Sequence, residues 1–421
     1  MTAIADWLQS SEARVEPALG VLMAATFLAL PLGTTPPTLC GIAAALVWIG
    51  SGRFIRTIGK IGRRPWFRPV ILWIALPWIG LLYSPDFHDQ GLDYAGKTHY
   101  WIYGLILASV ADRVPPRRLM AALFLGLAVN GAMGILQFAG MVEPKGDGWF
   151  TGFGRGYSVL SALLMVGILM ASWFARRTED IRDRLGLWLL AGFFFFHMIL
   201  LQGRTGYVTF VFLSPLVVRN LSRRMTAWRT VGACFLLVGL MLLSPVVRER
   251  VELSVRQIRH HMNAPPEEAW GRVYTRHQDR FFMWHGALRI WLDHPILGVG
   301  TGGYKSALVE RSGENAPPIA HPHNDLLHMA VSYGLAGVVA FFWLFGTLLR
   351  NGWRARGSPA GAFVLHATLV ILVSGLLNAQ TLDARMAFLL ALATGMQERL
   401  SGSSRDGDSQ ALVNEGEGCE D

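Results

Sequence analysis

The chain has 421 residues, of which 52% are hydrophobic and only 16% charged, with 15 Trp and 23 Phe. Soluble domains carry about 25% charged residues, and the mean hydropathy here is +0.36, so the composition argues against a soluble single-core enzyme and against a disordered or fibrous chain. The formal charge is +9, from 38 Lys and Arg against 29 Asp and Glu, but the basic residues fall between apolar blocks. That placement indicates orientation in a membrane and not nucleic-acid binding. Three cysteines (Cys40, Cys234 and Cys419) make no disulfide framework.

Residues 1–14 are mildly amphipathic, and the first apolar block follows them without a short apolar core and cleavage site, so it reads as a retained span. Apolar blocks then recur at approximately 16–32, 37–51, 67–83, 99–111, 117–139, 157–175, 185–201, 206–218, 229–246, 325–348, 360–377 and 386–397. Read as helices crossing a hydrocarbon layer of ~30 Å, they predict an all-α integral membrane protein with about twelve transmembrane helices. The spans at 99–111, 206–218 and 386–397 are short. With the N-terminus inside, the loops 52–66, 112–118, 176–184, 219–229 and 349–359 hold nineteen Lys and Arg, and Arg68 sits at the edge of the third span. The short outer loops hold only Lys97, Lys145, Arg155, Arg204 and Arg385. That bias predicts both termini in the cytoplasm.

The expected units are an N-terminal bundle of nine spans over 1–246, a polar outer loop over 247–324, C-terminal transmembrane helices over 325–400 and a disordered cytoplasmic tail over 401–421. The loop shows two amphipathic helical patterns, near 248–262 and 278–293, and reads as a cap over the mouth of the bundle. Its Gly298-Val299-Gly300-Thr301-Gly302-Gly303 string has no preceding strand, which removes the dinucleotide reading. A backbone cradle for an anion and a tightly packed turn both remain open.

His321-Pro322-His323-Asn324-Asp325 closes the loop and opens the next span. Pro322 and Asn324 are helix-start signals, with Asn324 or Asp325 as cap. His323 then lies at the outer rim beside the positive end of a helix, a position that favours a neutral imidazole able to act as a base. Two other readings compete: a polar membrane-interface cluster without chemistry, and a Zn²⁺ or Mn²⁺ site from His321, His323, Asp325 and His328, whose spacing fits no strong metal motif. Arg204, in the break Leu201-Gln202-Gly203-Arg204-Thr205-Gly206, and Arg280, in Asp279-Arg280-Phe281-Phe282-Met283-Trp284, suit a pyrophosphate through their forked donors. Snorkelling or an ion pair is the alternative for each. Arg272, Arg276, Arg155 and Lys97 are further outer-side cations.

Three segments together resemble the bacterial O-antigen ligase and polymerase superfamily: Gly203-Arg204-Thr205-Gly206; Arg280 to Trp284 running on to His294-Pro295-Ile296-Leu297-Gly298-Val299-Gly300; and His321-Pro322-His323-Asn324 followed by Gly334-Leu335-Ala336-Gly337. The resemblance implies an inner-membrane, inverting, metal-independent glycosyltransferase with a helical periplasmic loop. Its donor is a glycan on undecaprenyl pyrophosphate, its acceptor a hydroxyl of lipid A–core, and it works among membrane lipids without nucleic acid or cofactor. It implies His323 as base and Arg204 and Arg280 as the charge-holding pair, with His321, Asn324, Arg272 and Arg276 as substrate-binding candidates. Gly203 departs from the family's usual Ser. The ligase type is favoured because the single outer loop, basic at Arg248, Arg250, Arg256, Arg259, Arg272 and Arg276, suits a phosphorylated core. A polymerase, a related lipid-linked-glycan transferase and a flippase are the alternatives. A flippase would place charge along a midplane path, whereas here polar residues gather at the outer mouth.

Overall fold

The computed structural model describes residues 2–145, 150–222, 226–263, 279–312 and 319–401. Among them the regular structure is helical, without strands. In chain order the helices are α1 (Thr2–Ala29), α2 (Thr35–Gly50), α3 (Arg53–Ile61), α4 (Arg68–Leu81), α5 (Leu92–Gly96), α6 (Trp101–Val110), α7 (Pro116–Phe138), α8 (Tyr157–Ala175) and α9 (Ile181–Leu200). They continue with α10 (Arg204–Leu221), α11 (Ala227–Leu242), α12 (Pro245–Asn263), α13 (Asp279–Asp293), α14 (Tyr304–Ser312), α15 (Asp325–Arg354), α16 (Pro359–Gly375) and α17 (Ala384–Gly395).

The expectation of about twelve spans is corrected by the lengths of these helices. Five stretches are long and apolar enough to cross a membrane: Val15–Leu32, Pro116–Phe138, Tyr157–Ala175, Ile181–Leu200 and Asp325–Arg354. Two sharply bent pairs raise the number to seven at most, α2 with α3 at 95° and α11 with α12 at 99°. The remaining apolar blocks form helices that are too short or not apolar enough to qualify. The block at 99–111 begins in a 3₁₀ turn, Lys97–Tyr100, leaving a helix of 10 residues; at 1.5 Å per residue that is ~15 Å, half the hydrocarbon thickness. The block at 386–397 is a helix of 12 residues. Hydropathy marks a segment as buried, but it does not distinguish burial in lipid from burial in protein. The chain remains a multi-pass membrane protein by its long apolar helices.

The clearest case of burial in protein is α8. It is apolar on all sides and buried at every residue from Val159 to Trp173, as expected for a helix enclosed by others. α7, α9, α10 and α16 pack around it. Its first turn, at Tyr157, therefore sits in the middle of one end of the bundle. The opposite end carries Arg64, Arg117, Arg354 and Glu398.

The stretches read as helical near 248–262 and 278–293 are α12 and α13, and α14 is an additional helix that the sequence reading did not anticipate. α13 and α14 share a small core of Phe282, Ala287, Ile290, Tyr304 and Leu308, closed by Val331 of α15. The chain between them docks on a kink in α15 at Gly334 (φ 58°, ψ −142°). Leu335 N–H donates to Pro295 O at 2.8 Å, Val299 N–H to Val331 O at 2.8 Å and Gly300 N–H to Ser332 O at 3.0 Å. A Cβ on Gly334 would stand 2.3 Å from the Ile296 carbonyl carbon, so only glycine admits this approach. The two motifs His294–Gly300 and Gly334–Gly337 are thus one structural device.

Candidate active site

His323 is the only non-glycine residue with positive φ (49°) among the described residues. Such a conformation costs of order 1–3 kcal/mol and persists only where surroundings enforce it. Its backbone N–H donates to His321 Nδ1 at 3.3 Å, and the two rings meet edge-on at 4.3 Å. One residue on, Asn324 caps α15 by accepting from Leu327 N–H at 3.0 Å and donates to Leu376 O at 2.9 Å. The cap is therefore Asn324 and not Asp325. Asp325 is buried, with Oδ1 accepting from Thr381 N–H and Oγ at 3.0 and 2.7 Å. These contacts clamp residues 321–325 between α15 and the segment following α16.

The His323 imidazole is oriented from that segment. Nδ1 lies 2.9 Å from Asn378 Oδ1, and the Asn378 amide in turn donates to Ser158 Oγ at 3.2 Å. With an amide oxygen facing it, Nδ1 carries the proton and Nε2 carries the lone pair. His321 is held neutral: burial is the main cause, and the nearby His323, His328 and Lys97 add to it, pushing its pKa down to about 3. A neutral His321 can accept the His323 N–H. Around this turn, Tyr94 donates to Ala320 O at 3.3 Å and meets the buried His328 edge-on at 5.7 Å. Lys97 lies over the Tyr94 ring at 4.7 Å and pairs with Asp93 at 3.1 Å. Among the described residues no three His, Cys, Asp or Glu form a group that could hold a metal ion; Asp325 and His328 turn to other partners.

The two arginines lie near Tyr157, at the start of the same helix α8. Arg204 opens α10 after Gly203 and donates through Nη1 to Gln257 and to Ser254 (3.3 Å), both on α12. Arg250 of α12 donates back to Gln202, so α12 clasps the turn ahead of α10. Arg280, near the start of α13, is half-buried, and burial together with the charge of Arg204 lowers its pKa, while Tyr157 opposes the shift. Two guanidinium groups on separate elements thus share a partly desolvated neighbourhood beside Tyr157, where like charges raise each other's cost.

Tyr157 and Ser158 are consecutive, so the histidine turn and the arginine pair flank one helix start. That start is itself fixed. Arg385, almost fully buried, donates to the carbonyls of Arg155 and Gly156, the latter at 3.4 Å. Arg155 itself is exposed and contributes its carbonyl. Gly203 is explained by the same junction, because a Cβ there would come within 2.9 Å of Ser161 Oγ and 3.2 Å of Tyr157 Cδ2. The glycine string 298–303 is a packing turn: Gly298, Gly300 and Gly302 have positive φ and press against backbone of α15 and of residues 80–91. Arg272 and Arg276 lie outside the described residues.

Residues 185–342 match the family model described as O-antigen ligase, a stretch containing Arg204, Arg280, His321, His323 and Asn324. A Rickettsia conorii protein named "Putative polysaccharide ligase" is 32% identical over 79 residues, which is 17% of this chain and 19% of that protein. One of the same name from Rickettsia prowazekii is 30% identical over 79 residues, 17% and 20% of the two chains. Over these stretches the chain is similar to proteins described as O-antigen ligase or putative polysaccharide ligase. The match spans about a fifth of the length of these curated relatives. Tyr157, Ser158, Asn378 and Arg385 lie outside the segment matched by the family model, and sequence reasoning missed them as candidate-site residues. The available signal was the polar run Asn378-Ala379-Gln380-Thr381, which follows an apolar helix directly.

Proposed function

We propose that the protein is an O-antigen ligase, moving a glycan from undecaprenyl pyrophosphate to a sugar hydroxyl of lipid A–core. The observation that carries this reading is the convergence at the start of α8, where the imidazole of His323 is oriented through Asn378 and Ser158 and the guanidinium groups of Arg204 and Arg280 lie near the adjoining Tyr157. We place this face in the periplasm, with 247–324 as its helical cap and both termini in the cytoplasm; the loop-charge asymmetry supports that orientation.

Arg204 and Arg280 hold the donor's pyrophosphate, stabilising charge that grows on the bridging oxygen as the C1–O bond breaks. The acceptor hydroxyl attacks C1 from the opposite face while His323 Nε2 takes its proton. One C–O bond forms, one breaks, the electron pair leaves with undecaprenyl pyrophosphate, and the configuration at C1 inverts. Asn378 keeps the His323 lone pair on Nε2, and His321 holds the turn. Asn324, with both ends of its amide engaged in capping, supports the histidine and does not reach for substrate.

The test is transfer by the purified full-length protein from lipid-linked glycan to lipid A–core, comparing the parent with His323→Ala. No product from either protein overturns the enzyme reading and returns the flippase. Ligase and polymerase separate in a deletion strain whose other envelope-glycan enzymes are intact and which has no second polymerase. A ligase leaves full-length chains on undecaprenyl pyrophosphate and bare lipid A–core, whereas lipid A–core bearing a single repeat identifies a polymerase.

A further inference from the structure

At the end of the bundle away from His323 there is a cavity of about 1310 Å³, above the ~300–1,000 Å³ of ordinary small-molecule sites. Lys60, Arg64, Arg117, Arg354 and Arg399 line it, against the two carboxylates Asp112 and Glu398. Those carboxylates are already engaged. Glu398, 1% exposed, takes Arg64 Nε at 2.9 Å and Lys60 at 3.0 Å, and Asp112 takes Lys60 at 3.6 Å. Arg399 donates to the carbonyls of Ala111, Asp112 and Val114 at 2.8 to 3.5 Å. Arg117 and Arg354 are exposed and make no hydrogen bond or ion pair among the described residues. The first turns of α7 and α16 also open here, at Pro116 and Pro359, adding the positive ends of two long helices. The wall therefore carries five basic side chains against two carboxylates.

The cavity continues into a groove of about 610 Å³, with Arg117, Gly357 and Pro359 common to both. Its walls are apolar: Met120, Ala121 and Phe124 of α7, Trp173 and Phe174 of α8, and Leu187 of α9. The carboxylates of Glu179, Asp180 and Asp183 stand at its rim, beside Arg177, which stacks on Trp173 at 3.9 Å. α7 and α9 are two of the long apolar helices, and each begins at this end, so the groove runs from the membrane boundary toward the hydrocarbon. A free phosphate would occupy the basic cavity and leave the groove unused. A phospholipid uses both, with its phosphate among the arginines and an acyl chain along Met120, Phe124 and Leu187.

We propose that this continuous cavity and groove bind an anionic phospholipid, with Arg117 and Arg354 holding the headgroup phosphate. The proposal is independent of the glycan-transfer reading, because its residues lie at the other end of the bundle from His323 and the arginine pair.

The test uses the full-length protein in nanodiscs of phosphatidylcholine with a minor fraction of phosphatidylglycerol, and counts the lipids retained on release by native mass spectrometry. The parent should retain phosphatidylglycerol about tenfold above its share of the disc, a preference of ~1.4 kcal/mol. Arg117→Gln with Arg354→Gln should bring retention down to that share, and Arg354→Gln alone, at an exposed position, serves if the double variant does not fold. Ala121→Trp, which fills the groove, should lower retention while both arginines remain. Retention in proportion to disc composition, no response to Arg354→Gln, or no response to Ala121→Trp would each overturn the proposal. Release of bound phosphatidylglycerol by millimolar inorganic phosphate, with the groove variant unaffected, would assign a free-phosphate site instead.

Discussion

His323 Nδ1 lies 2.9 Å from Asn378 Oδ1 across 55 positions of sequence, and Asn378 passes the contact on to Ser158, a further 220 positions away. Three segments of the chain therefore determine which nitrogen of one imidazole carries a lone pair. Replacing His323 by Ala should lower transfer by roughly 10²–10⁴-fold, the usual contribution of a general base, with protein level unchanged. Asn378→Ala should cost less, about tenfold or ~1.4 kcal/mol of barrier. Asn378→Asp puts a carboxylate beside Nδ1 and should raise the basic pKa, moving the acid limb of the kcat/KM profile to higher pH. An unmoved limb would leave Asn378 a purely structural residue.

Arg204→Lys and Arg280→Lys each keep the charge but remove the planar fork. If paired donors hold a pyrophosphate, both should lose transfer by tenfold or more, because Lys presents a single point of contact. Arg204→Lys also loses its contact with Gln257, so donor binding should be measured beside turnover. Lys variants that match the parent in both would assign these side chains to snorkelling.

Gly203→Ser should reduce activity and thermal stability together, since the added Cβ would meet Ser161 Oγ at 2.9 Å. Ser161→Ala removes that oxygen and should restore most of the loss in the double variant. A double-mutant cycle reads the coupling, expected between about 0.5 and 3 kcal/mol for residues in contact. Additive effects would place the cause elsewhere.

Gly334→Ala meets two penalties, positive φ and a contact of 2.3 Å with the Ile296 backbone. The loss should exceed in size the ~1 kcal/mol that Gly→Ala gains at a compatible position and appear as a lowered melting temperature in detergent. Gly346, in the same helix, has no atom within 4 Å of an added Cβ, so Gly346→Ala is the control and should melt like the parent.

His321 has its pKa pushed down to about 3 by burial, with smaller repulsion from His323, His328 and Lys97. Against an unfolded value of ~6.5, the unfolded chain binds the extra proton first as pH falls. The stabilising effect of the neutral ring is thus complete above pH ~6.5 and is lost progressively toward pH 3. His321→Gln, which can still accept the His323 N–H, should flatten the fall in melting temperature between pH 6.5 and 4 relative to the parent. Equal slopes would show that other groups dominate that window.

Composition and loop charge alone carry the membrane class, the helical character and the basic end of the bundle. So do the caps: Asn324 closes the first turn of α15 through its own neighbour Leu327, a contact that depends on only four consecutive positions. The number of spans was not legible, because an apolar window reads the same whether lipid or protein surrounds it; α17 and most of α8 are enclosed by other helices. The candidate site was half legible. His323, Arg204 and Arg280 stand in local patterns, but Asn378, Ser158 and Arg385 are ordinary residues in their own neighbourhoods. Tertiary structure alone decides that they meet, because hydrogen bonds of about 3 Å between distant segments depend on where packed helices end, and no sequence period records that.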